Sequence, residues 1–276
     1  MMTLVRIVLW NIERGYYPEE AAEFLHSLDA DIYALCELDR GVGRTQGIDM
    51  YTFLQKRIGF DSHYTKEFDE IPSIWRKIVP WGGSGGGEIG NALFSRFPIR
   101  ACRSVGLSTK SPLTYDGSTW MPELFQPRRG SRQAQIADIE TPQGPLTVVL
   151  THTELWRSNW LHRRQQLEEA LGNMQTASMI FTGDFNSVGG VLAGYLRRTH
   201  NTSEVLATRD WLESKGLNDP FSNDQVTCGR GFLRAKIDWL SLGRNFLVQS
   251  HTLHNTDLSD HSCLSVDFTI EPSSRA

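Results

Sequence analysis

Residues 182–187, of sequence TGDFNS, place a carboxylate and a carboxamide directly after a short apolar run. That run, residues 178–181, is typical of a buried strand, and the chain breaks away from it at Gly183. In an extended segment Asp184 and Asn186 point to the same side, because strand side chains alternate. Such a pair suits holding a metal-bound phosphate and an attacking water. The same motif is also common in turns, where both side chains bind local backbone groups.

Five other apolar runs in the chain end in the same way, with polar residues that can bind a metal or move a proton. These residues are Asn11 and Glu13, Glu37 and Asp39, His152, Asp238, and the pair Asp260 and His261. Each of them alone has an ordinary explanation, such as a cap, a salt bridge or a packed histidine. A full set in one chain is difficult to explain as turn chemistry. The pattern therefore predicts one site assembled from the ends of several strands.

The ordered motifs of these strand ends are WNIERG, LCELD, GNALFSRFPI, THTEL, GDFN, KIDWLSL and SDHS, running from residue 10 to residue 262. Their order and spacing resemble the endonuclease/exonuclease/phosphatase superfamily of metal-dependent phosphoesterases. That superfamily includes pancreatic-type deoxyribonuclease, abasic-site endonucleases, neutral sphingomyelinases and inositol-polyphosphate 5-phosphatases. The resemblance covers nearly the whole chain, and it is specific for the superfamily without pointing to one member.

A divalent metal site is the first implication of this resemblance. Glu37 would be the principal metal ligand, joined by Asp260. Asn11 would either help to hold the metal or orient Asp184. Carboxylate and amide oxygens suit the hard ions Mg²⁺ or Mn²⁺, and no cysteine and histidine cluster in the sequence competes for zinc. The resemblance leaves open whether one or two metal ions bind.

The resemblance also implies catalytic roles for five residues. Asp184 would orient and deprotonate the attacking water, while Asn186, His152 and His261 would stabilise charge on the phosphate oxygens. Asp238 would accept the ring N–H of His261 and so set its orientation. Whether Asp184 or His261 is the general base stays open at this stage.

Four further polar residues lie near these motifs. By resemblance to the deoxyribonuclease branch, Glu88 is a candidate for orienting His152. Asn91 is interpreted as structural, stabilising the turn into its strand. Glu13 and Asp39 are extra acids, placed either behind the metal site or in solvent.

The implied reaction is hydrolysis of a phosphodiester or phosphomonoester by in-line attack of water, since no Ser or Cys lies in a nucleophile-elbow setting. A nuclease or related phosphodiesterase is the leading interpretation, with nucleic acid as a candidate substrate. A phosphatase or phospholipase C-type hydrolase of a lipid or inositol phosphate is the alternative. A catalytically silent binding module is the third, against which the complete set of polar residues argues. Trp75, Trp81 and Trp120 are candidates for lining the cleft, where they could stack on bases, meet a membrane interface or simply pack.

The charge distribution excludes a generally basic nucleic-acid coat protein, because the net charge of the 276-residue chain is −4. Basic residues are nevertheless concentrated between Arg96 and Arg132, where seven Arg and Lys residues stand against two acids. Arg157, Arg163 and Arg164 form a second basic group. The pattern predicts a basic rim that attracts a polyanionic substrate to an acidic metal site.

The four cysteines, at positions 36, 102, 228 and 263, have neither metal-ligand spacing nor the pattern of a disulfide framework. Cys36 and Cys263 lie in apolar runs and are predicted to be buried thiols.

The first strand begins within four residues, and no run is long enough to span a membrane. We therefore expect a cytoplasmic monomer without stable membrane insertion.

Alternating and apolar runs predict ten strands, near residues 4–10, 31–36, 89–95, 99–107, 132–139, 145–151, 178–182, 235–242, 245–253 and 262–269. Helical spacing predicts five helices, near 18–28, 47–58, 159–175, 190–199 and 204–215. In the third of these, Leu161, Leu167 and Leu171 are expected on the apolar face. Composition alone indicates only mixed α and β structure. The resemblance implies an α/β fold in one domain spanning 1–276: a four-layer α/β/β/α sandwich of two packed, mostly antiparallel sheets flanked by helices.

Overall fold

The computed structural model describes residues 4–73, 76, 85–109, 127–154, 160–187, 203–230 and 233–271. Its helices are α1 (Pro18–Leu28), α2 (Met50–Ile58), α3 (Trp160–Leu171) and α4 (Ser203–Ser214). The first eight strands are β1 (Val5–Arg14), β2 (Ile32–Arg40), β3 (Asp61–Glu70), β4 (Glu88–Ser95), β5 (Ile99–Gly106), β6 (Arg128–Gly130), β7 (Gln133–Thr141) and β8 (Gly144–His152). The other seven are β9 (Met179–Asp184), β10 (Leu217–Asn218), β11 (Cys228–Arg230), β12 (Leu233–Ala235), β13 (Asp238–Gly243), β14 (Phe246–His254) and β15 (Cys263–Ile270).

Two large sheets form the centre of the molecule. The first has seven strands in the order β14-β15-β1-β2-β4-β3-β6, and the second has six in the order β10-β13-β9-β8-β7-β5. All named strand pairs within these sheets are antiparallel except β1–β2 and β8–β9, which are parallel. Strands β11 and β12 form a separate hairpin.

Three apolar clusters show how the layers stack. Strand β1 alternates, so that Val5, Ile7 and Leu9 enter the cluster between the two sheets while Val8 and Trp10 enter an outer cluster. That outer cluster is completed by α1 and α2, and the matching cluster on the far side of the second sheet by α3 and α4. The predicted sandwich of two sheets between helices is confirmed. Burial of this central strand on both faces explains why residues 7–10 of β1 are an apolar run without alternation.

All ten predicted strands are present, several of them longer than expected, as are four of the five predicted helices. The helix predicted at 190–199 lies outside the described residues, as do Trp75, Trp81, Trp120 and Arg157. Strand β3 was not predicted, because its sequence DSHYTKEFDE is too polar to show an apolar pattern. Its buried acids are Glu67 and Glu70, which are held by arginines rather than by apolar contacts.

The prediction for the apolar face of α3 was wrong at Leu161, which is 67% exposed. Leu167 and Leu171 are buried as expected, together with Arg163 and Ala170. Leu161 precedes Leu167 by six residues, which is not a helix-face spacing, so it falls outside the buried stripe. None of the helices in the described part of the chain is both long and apolar enough to span a bilayer.

Candidate active site

Three polar side chains stand in a row across the end of the second sheet. His152 ends β8 and pairs in register with Asp184 of β9, and Asp184 pairs with Asp238 of β13. This close pairing depends on Gly183, which has a φ of +142°. A Cβ on Gly183 would lie 1.7 Å from the carbonyl oxygen of Thr151 on β8. Glycine therefore allows two strands to approach so that His152 and Asp184 become neighbours.

The first sheet contributes residues from irregular backbone. Strand β1 shifts register against β2 after Asn11, and β2 shifts against β4 around Glu37. Six non-glycine residues in the described part of the chain have a positive φ. Four of them, Glu13, Arg14, Glu37 and Asn186, belong to this region, and the other two, Asp29 and Gln46, follow helices as C-caps. Left-handed backbone at non-glycine residues is costly and is concentrated at functional sites.

The segment before β15 is tied to β1 by three hydrogen bonds and is braced by a fourth within the segment. Ser259 Oγ donates to the Asn11 carbonyl (2.7 Å), and the His261 amide donates to Ser259 Oγ (3.0 Å). Trp10 Nε1 donates to the His261 carbonyl (3.2 Å). The Asp260 amide donates to Oε2 of Glu13 (3.1 Å). These bonds fix Asp260 and His261 against the end of the first sheet.

Asp184 is the centre of the site, and it is 2% exposed. Its Oδ2 accepts a hydrogen bond from Asn11 Nδ2 (3.1 Å). The same oxygen lies 3.5 Å from Nε2 of His152 and 3.9 Å from Nε2 of His261. The other ring nitrogen of His261, Nδ1, lies 2.9 Å from Oδ2 of Asp238. Residues from both sheets thus converge on one buried carboxylate.

The strand pattern predicted that Asn186 lies in an extended segment, and this prediction was wrong. Strand β9 ends at Asp184, and Asn186 has a φ of +47°. Its amide donates to Oδ1 of Asp184 (3.0 Å), and its Nδ2 donates to the Thr153 carbonyl (3.0 Å). The turn chemistry common for this motif is therefore real here, and it holds the Asp184 carboxylate in place.

Glu37 lies beside His152, and Asp260 lies beside His261. Oε2 of Glu37 accepts a hydrogen bond from Arg14 Nη1 in an ion pair, and its Oε1 lies 3.9 Å from Nε2 of His152. Asp260 Oδ1 lies 3.9 Å from Nε2 of His261. The structure thus connects the two predicted metal carboxylates through His152, Asp184 and His261.

The electrostatic environment shifts the pKa values of His261 and His152 in opposite directions. Burial acts to lower the pKa of His261. The attraction of Asp238 and Cys228, with the hydrogen bond to Asp238, outweighs burial and leaves that pKa well above the usual range. Burial lowers the pKa of His152 well below the usual range, helped by the positive charge of Arg132. His261 is therefore held as a cation at neutral pH, and His152 is held neutral.

The surroundings also shift the pKa values of Asp184 and Glu37 in opposite directions. Burial, followed by the negative charge of Asp238, raises the pKa of Asp184 to about 7. Burial also acts to raise the pKa of Glu37, but the opposing attraction of Arg14, with His152 and His261, leaves that pKa far below its usual range. Glu37 is thus a permanent anion, while Asp184 can exchange a proton near neutral pH.

The chemistry of the site fits a divalent cation and a phosphate. Both ring nitrogens of His152 and Oδ1 of Asp238 are buried without a hydrogen-bond partner among the described residues. Two sets of potential ligand atoms lie within 4.8 Å of one another: Asp184, Asp238 and His261, and Cys228, Asp260 and His261. Buried polar atoms without partners are costly, so they indicate a bound group.

The comparisons with known proteins agree with this geometry. The family model described as "Endonuclease/Exonuclease/phosphatase family" matches residues 8–261. The chain belongs to this family. No curated protein sequence matches the chain.

Three solved structures illustrate the shared fold of the family. The endonuclease/exonuclease/phosphatase from Beutenbergia cavernae DSM 12333 superposes with a TM-score of 0.69 at 18% identity, over 97% of this chain and 72% of that one. The human Nocturnin catalytic domain with bound sulfate gives 0.62 at 20% identity, over 97% and 93%. D. rerio TDP2 in complex with a single-strand DNA product gives 0.59 at 14% identity, over 97% and 99%.

Two neighbouring residues of this family member differ from their predicted roles. Glu88 does not orient His152, because its Oε1 accepts from Arg40 Nη1 (2.9 Å). Asn91 lies within β4, not in a turn, and its Oδ1 accepts from the Glu37 amide (3.2 Å) while its Nδ2 donates to Glu67 (3.1 Å). Asn91 therefore holds the left-handed backbone of Glu37.

The structure also shows where the two extra acids, Asp39 and Glu13, lie. Asp39 is fully buried in an ion pair with Arg44 (2.6 Å), so it is not solvated. Glu13 binds the Asp260 amide and lies behind the site. Cys36 and Cys263 are buried thiols, as predicted.

Three arginines of the predicted basic groups are neutralised by buried acids. Arg128 lies 3.1 Å from Glu70, and Arg132 lies 2.7 Å from Glu67. In the second basic group, Arg163 is buried with Glu204. Charge counting along the sequence missed these pairs because each acid comes from a distant part of the chain. These arginines stabilise buried acids and do not form an exposed attracting surface.

The sequence pattern missed three groups at the site. Arg14 was not singled out, because its pairing with Glu37 depends on the backbone reversal after β1. Ser259 was read only as part of a motif, yet its hydroxyl joins the two sheet-end segments. Cys228 was treated as isolated, whereas its thiol lies with Asp260 and His261 in one group of potential metal ligands. In each case the partner is far away in sequence.

Proposed function

We propose that this family member is a divalent-metal-dependent phosphodiesterase of the nuclease type, which hydrolyses its substrate by in-line attack of water. The observation that carries the proposal is the buried carboxylate of Asp184, held by Asn11 and facing a neutral His152 and a cationic His261. A base and a cation placed around one cleft suit water attack on a phosphate.

Glu37 and Asp260, with Asn11, are the residues proposed to hold Mg²⁺ or Mn²⁺, whose positive charge neutralises the phosphate and the leaving oxygen. Asn11 also positions Asp184, because its Nδ2 donates a hydrogen bond to Oδ2 of Asp184. The permanent negative charge of Glu37 suits a metal ligand. That charge is also balanced by Arg14.

The protein groups divide the proton chemistry between them. Asp184, once ionised, orients the attacking water and takes its proton as the bond to phosphorus forms. The bond from phosphorus to the leaving oxygen breaks on the opposite side, and the leaving alkoxide takes a proton from solvent. His261, protonated and braced by Asp238, stabilises the negative charge of the phosphate oxygens. His152 offers a neutral N–H to another phosphate oxygen, and Asn186 holds the Asp184 carboxylate through its backbone amide. The pKa of both groups is raised, but His261 is held protonated and cannot accept the proton of the water, which supports Asp184 as the base.

The first experiment measures hydrolysis of bis-p-nitrophenyl phosphate, a diester, beside p-nitrophenyl phosphate, a monoester. We expect turnover of the diester with Mg²⁺ or Mn²⁺, loss of that turnover in EDTA, and recovery when the metal is restored. Faster turnover of the monoester would favour the phosphatase alternative. Undiminished diester hydrolysis in EDTA would refute the metal-dependent mechanism.

A further inference from the structure

A polar cleft is lined by Asp260 and His261. Its volume is about 310 Å³, and its other polar lining residues include Arg234, Asn255, Thr256 and Ser262. The cleft adjoins the proposed catalytic centre, because His261 lines it and also lies 3.9 Å from Asp184. A group bonded to the reacting phosphate can therefore extend into it.

The β11–β12 hairpin forms one wall of this cleft and is bonded directly to the catalytic segment. The Gly229 amide donates to the Asp260 carbonyl (3.0 Å), and the Ser262 amide donates to the Thr227 carbonyl (2.7 Å). Cys228 forms a β-bridge with His261. Arg234 lies opposite Gly229 across the hairpin. The backbone thus sets the position of Arg234 relative to His261.

Arg234 differs from the other arginines around the site. Arg14, Arg44, Arg128 and Arg132 are all engaged with buried acids. Arg234 is exposed, and within the described ranges no carboxylate lies within ion-pair distance of it. Its guanidinium is therefore available to an anion that enters the cleft.

We propose that Arg234 binds a second phosphate of the substrate, next to the phosphate that is hydrolysed. This inference rests on the proposed function and names its substrate class: a phosphate ester whose hydroxylated carbon skeleton carries another phosphate. A guanidinium binds phosphate through two parallel hydrogen bonds. The amide of Asn255 and the hydroxyls of Thr256 and Ser262 suit the hydroxyl groups of a sugar or polyol.

Two sources share this chemistry, a nucleotide chain and a polyol polyphosphate. The test compares substrates that differ only in the second phosphate: the dinucleotides TpT and pTpT, and inositol 1-phosphate and inositol 1,4-bisphosphate. Each is assayed with the wild-type protein, Arg234→Gln and the matched control Arg100→Gln. Arg100 is also exposed, but it lies on β5 and does not line the cleft.

In the source that is recognised, the wild-type protein has a higher kcat/KM for the substrate with the second phosphate. Arg234→Gln lowers that preference by about tenfold to a hundredfold, mainly through KM, because one charge-assisted pair is lost. Arg100→Gln keeps the preference. The pair of substrates that shows the effect identifies the source as nucleotide chain or polyol.

Equal preference in the wild-type protein and Arg234→Gln, for both pairs of substrates, would overturn the assignment of Arg234. Failure of the proposed function has a different signature, which is absence of metal-dependent turnover of every substrate, including bis-p-nitrophenyl phosphate. In that case titration calorimetry with pTpT and inositol 1,4-bisphosphate decides on the cleft separately. Weaker binding to Arg234→Gln than to Arg100→Gln supports the cleft, and equal binding overturns it.

Discussion

Glu37 and Arg14 form an ion pair at the proposed metal site. Both side chains are mostly buried, and Arg14 is the strongest attraction acting on Glu37. The Asn91 side chain fixes the backbone of Glu37, so the carboxylate cannot easily turn away. A metal ion at Glu37 must therefore compete with a guanidinium already in contact.

The variant Glu37→Gln tests this residue as a metal ligand. We expect its affinity for Mn²⁺, measured by titration calorimetry, to fall at least about tenfold, because one negatively charged ligand is lost. Glu88→Gln is the matched control, since Glu88 pairs with Arg40 and does not face His152. Equal Mn²⁺ affinity in Glu37→Gln and the wild-type protein would remove Glu37 from the metal site.

We expect activity to depend on the protonation of two groups, His261 and Asp184. His261 must be protonated, so activity falls as pH rises through its elevated pKa. Asp184 must be ionised, so activity falls as pH drops through its pKa, which is about 7 without metal and lower with a bound cation. The expected profile is bell-shaped.

Replacing Asp238 by asparagine separates these two limbs. Asp238→Asn removes the main attraction that raises the pKa of His261, so the alkaline limb should move to lower pH. Rate against pH at saturating Mn²⁺ measures the shift for both proteins. An alkaline limb at the same pH in Asp238→Asn would show that the pair is not coupled to turnover.

At the scale of elements, the close approach of β8 and β9 positions the row of His152, Asp184 and Asp238. The contact at Gly183 leaves no room for a side chain. Gly144 at the start of β8 provides a comparison, because it also has a positive φ, +123°, but a Cβ there would meet nothing within 4 Å.

We expect Gly144→Ala to cost about 1–3 kcal/mol of unfolding free energy, from backbone strain alone. Gly183→Ala should cost at least about 2 kcal/mol more, because the added methyl group also forces the two strands apart. Urea unfolding of both variants measures the difference. Similar losses of stability in the two variants would mean that strain, not the close approach, requires glycine at position 183.

The strands that carry the site could be predicted from sequence, and the reason is their burial. Strands β1, β8 and β9 are covered on both faces, so each is a clear apolar run ending in a polar residue. Strand β3 and the β11–β12 hairpin lack that signal. Charged pairs satisfy the buried positions of β3, and the hairpin strands are three residues each.

At the scale of the whole molecule, the two sheets meet so that their strand ends share one cleft. The order of motifs along the chain was enough to predict which residues converge, because the family resemblance supplies the topology. It could not predict the pairing of Arg14 with Glu37, or of the hairpin with His261. Those contacts depend on left-handed backbone and on short hydrogen-bonded bridges, for which local sequence carries little signal.

The central claim is that the buried Asp184 carboxylate activates the water that attacks phosphate. The most direct measurement is the turnover of bis-p-nitrophenyl phosphate by Asp184→Asn at saturating Mn²⁺, with the urea unfolding midpoint and Mn²⁺ affinity measured on the same protein. The account predicts a loss of about a hundredfold or more, with folding and metal binding largely retained. Turnover near the wild-type rate would contradict it and would transfer the role of base to another group, with His261 the first candidate.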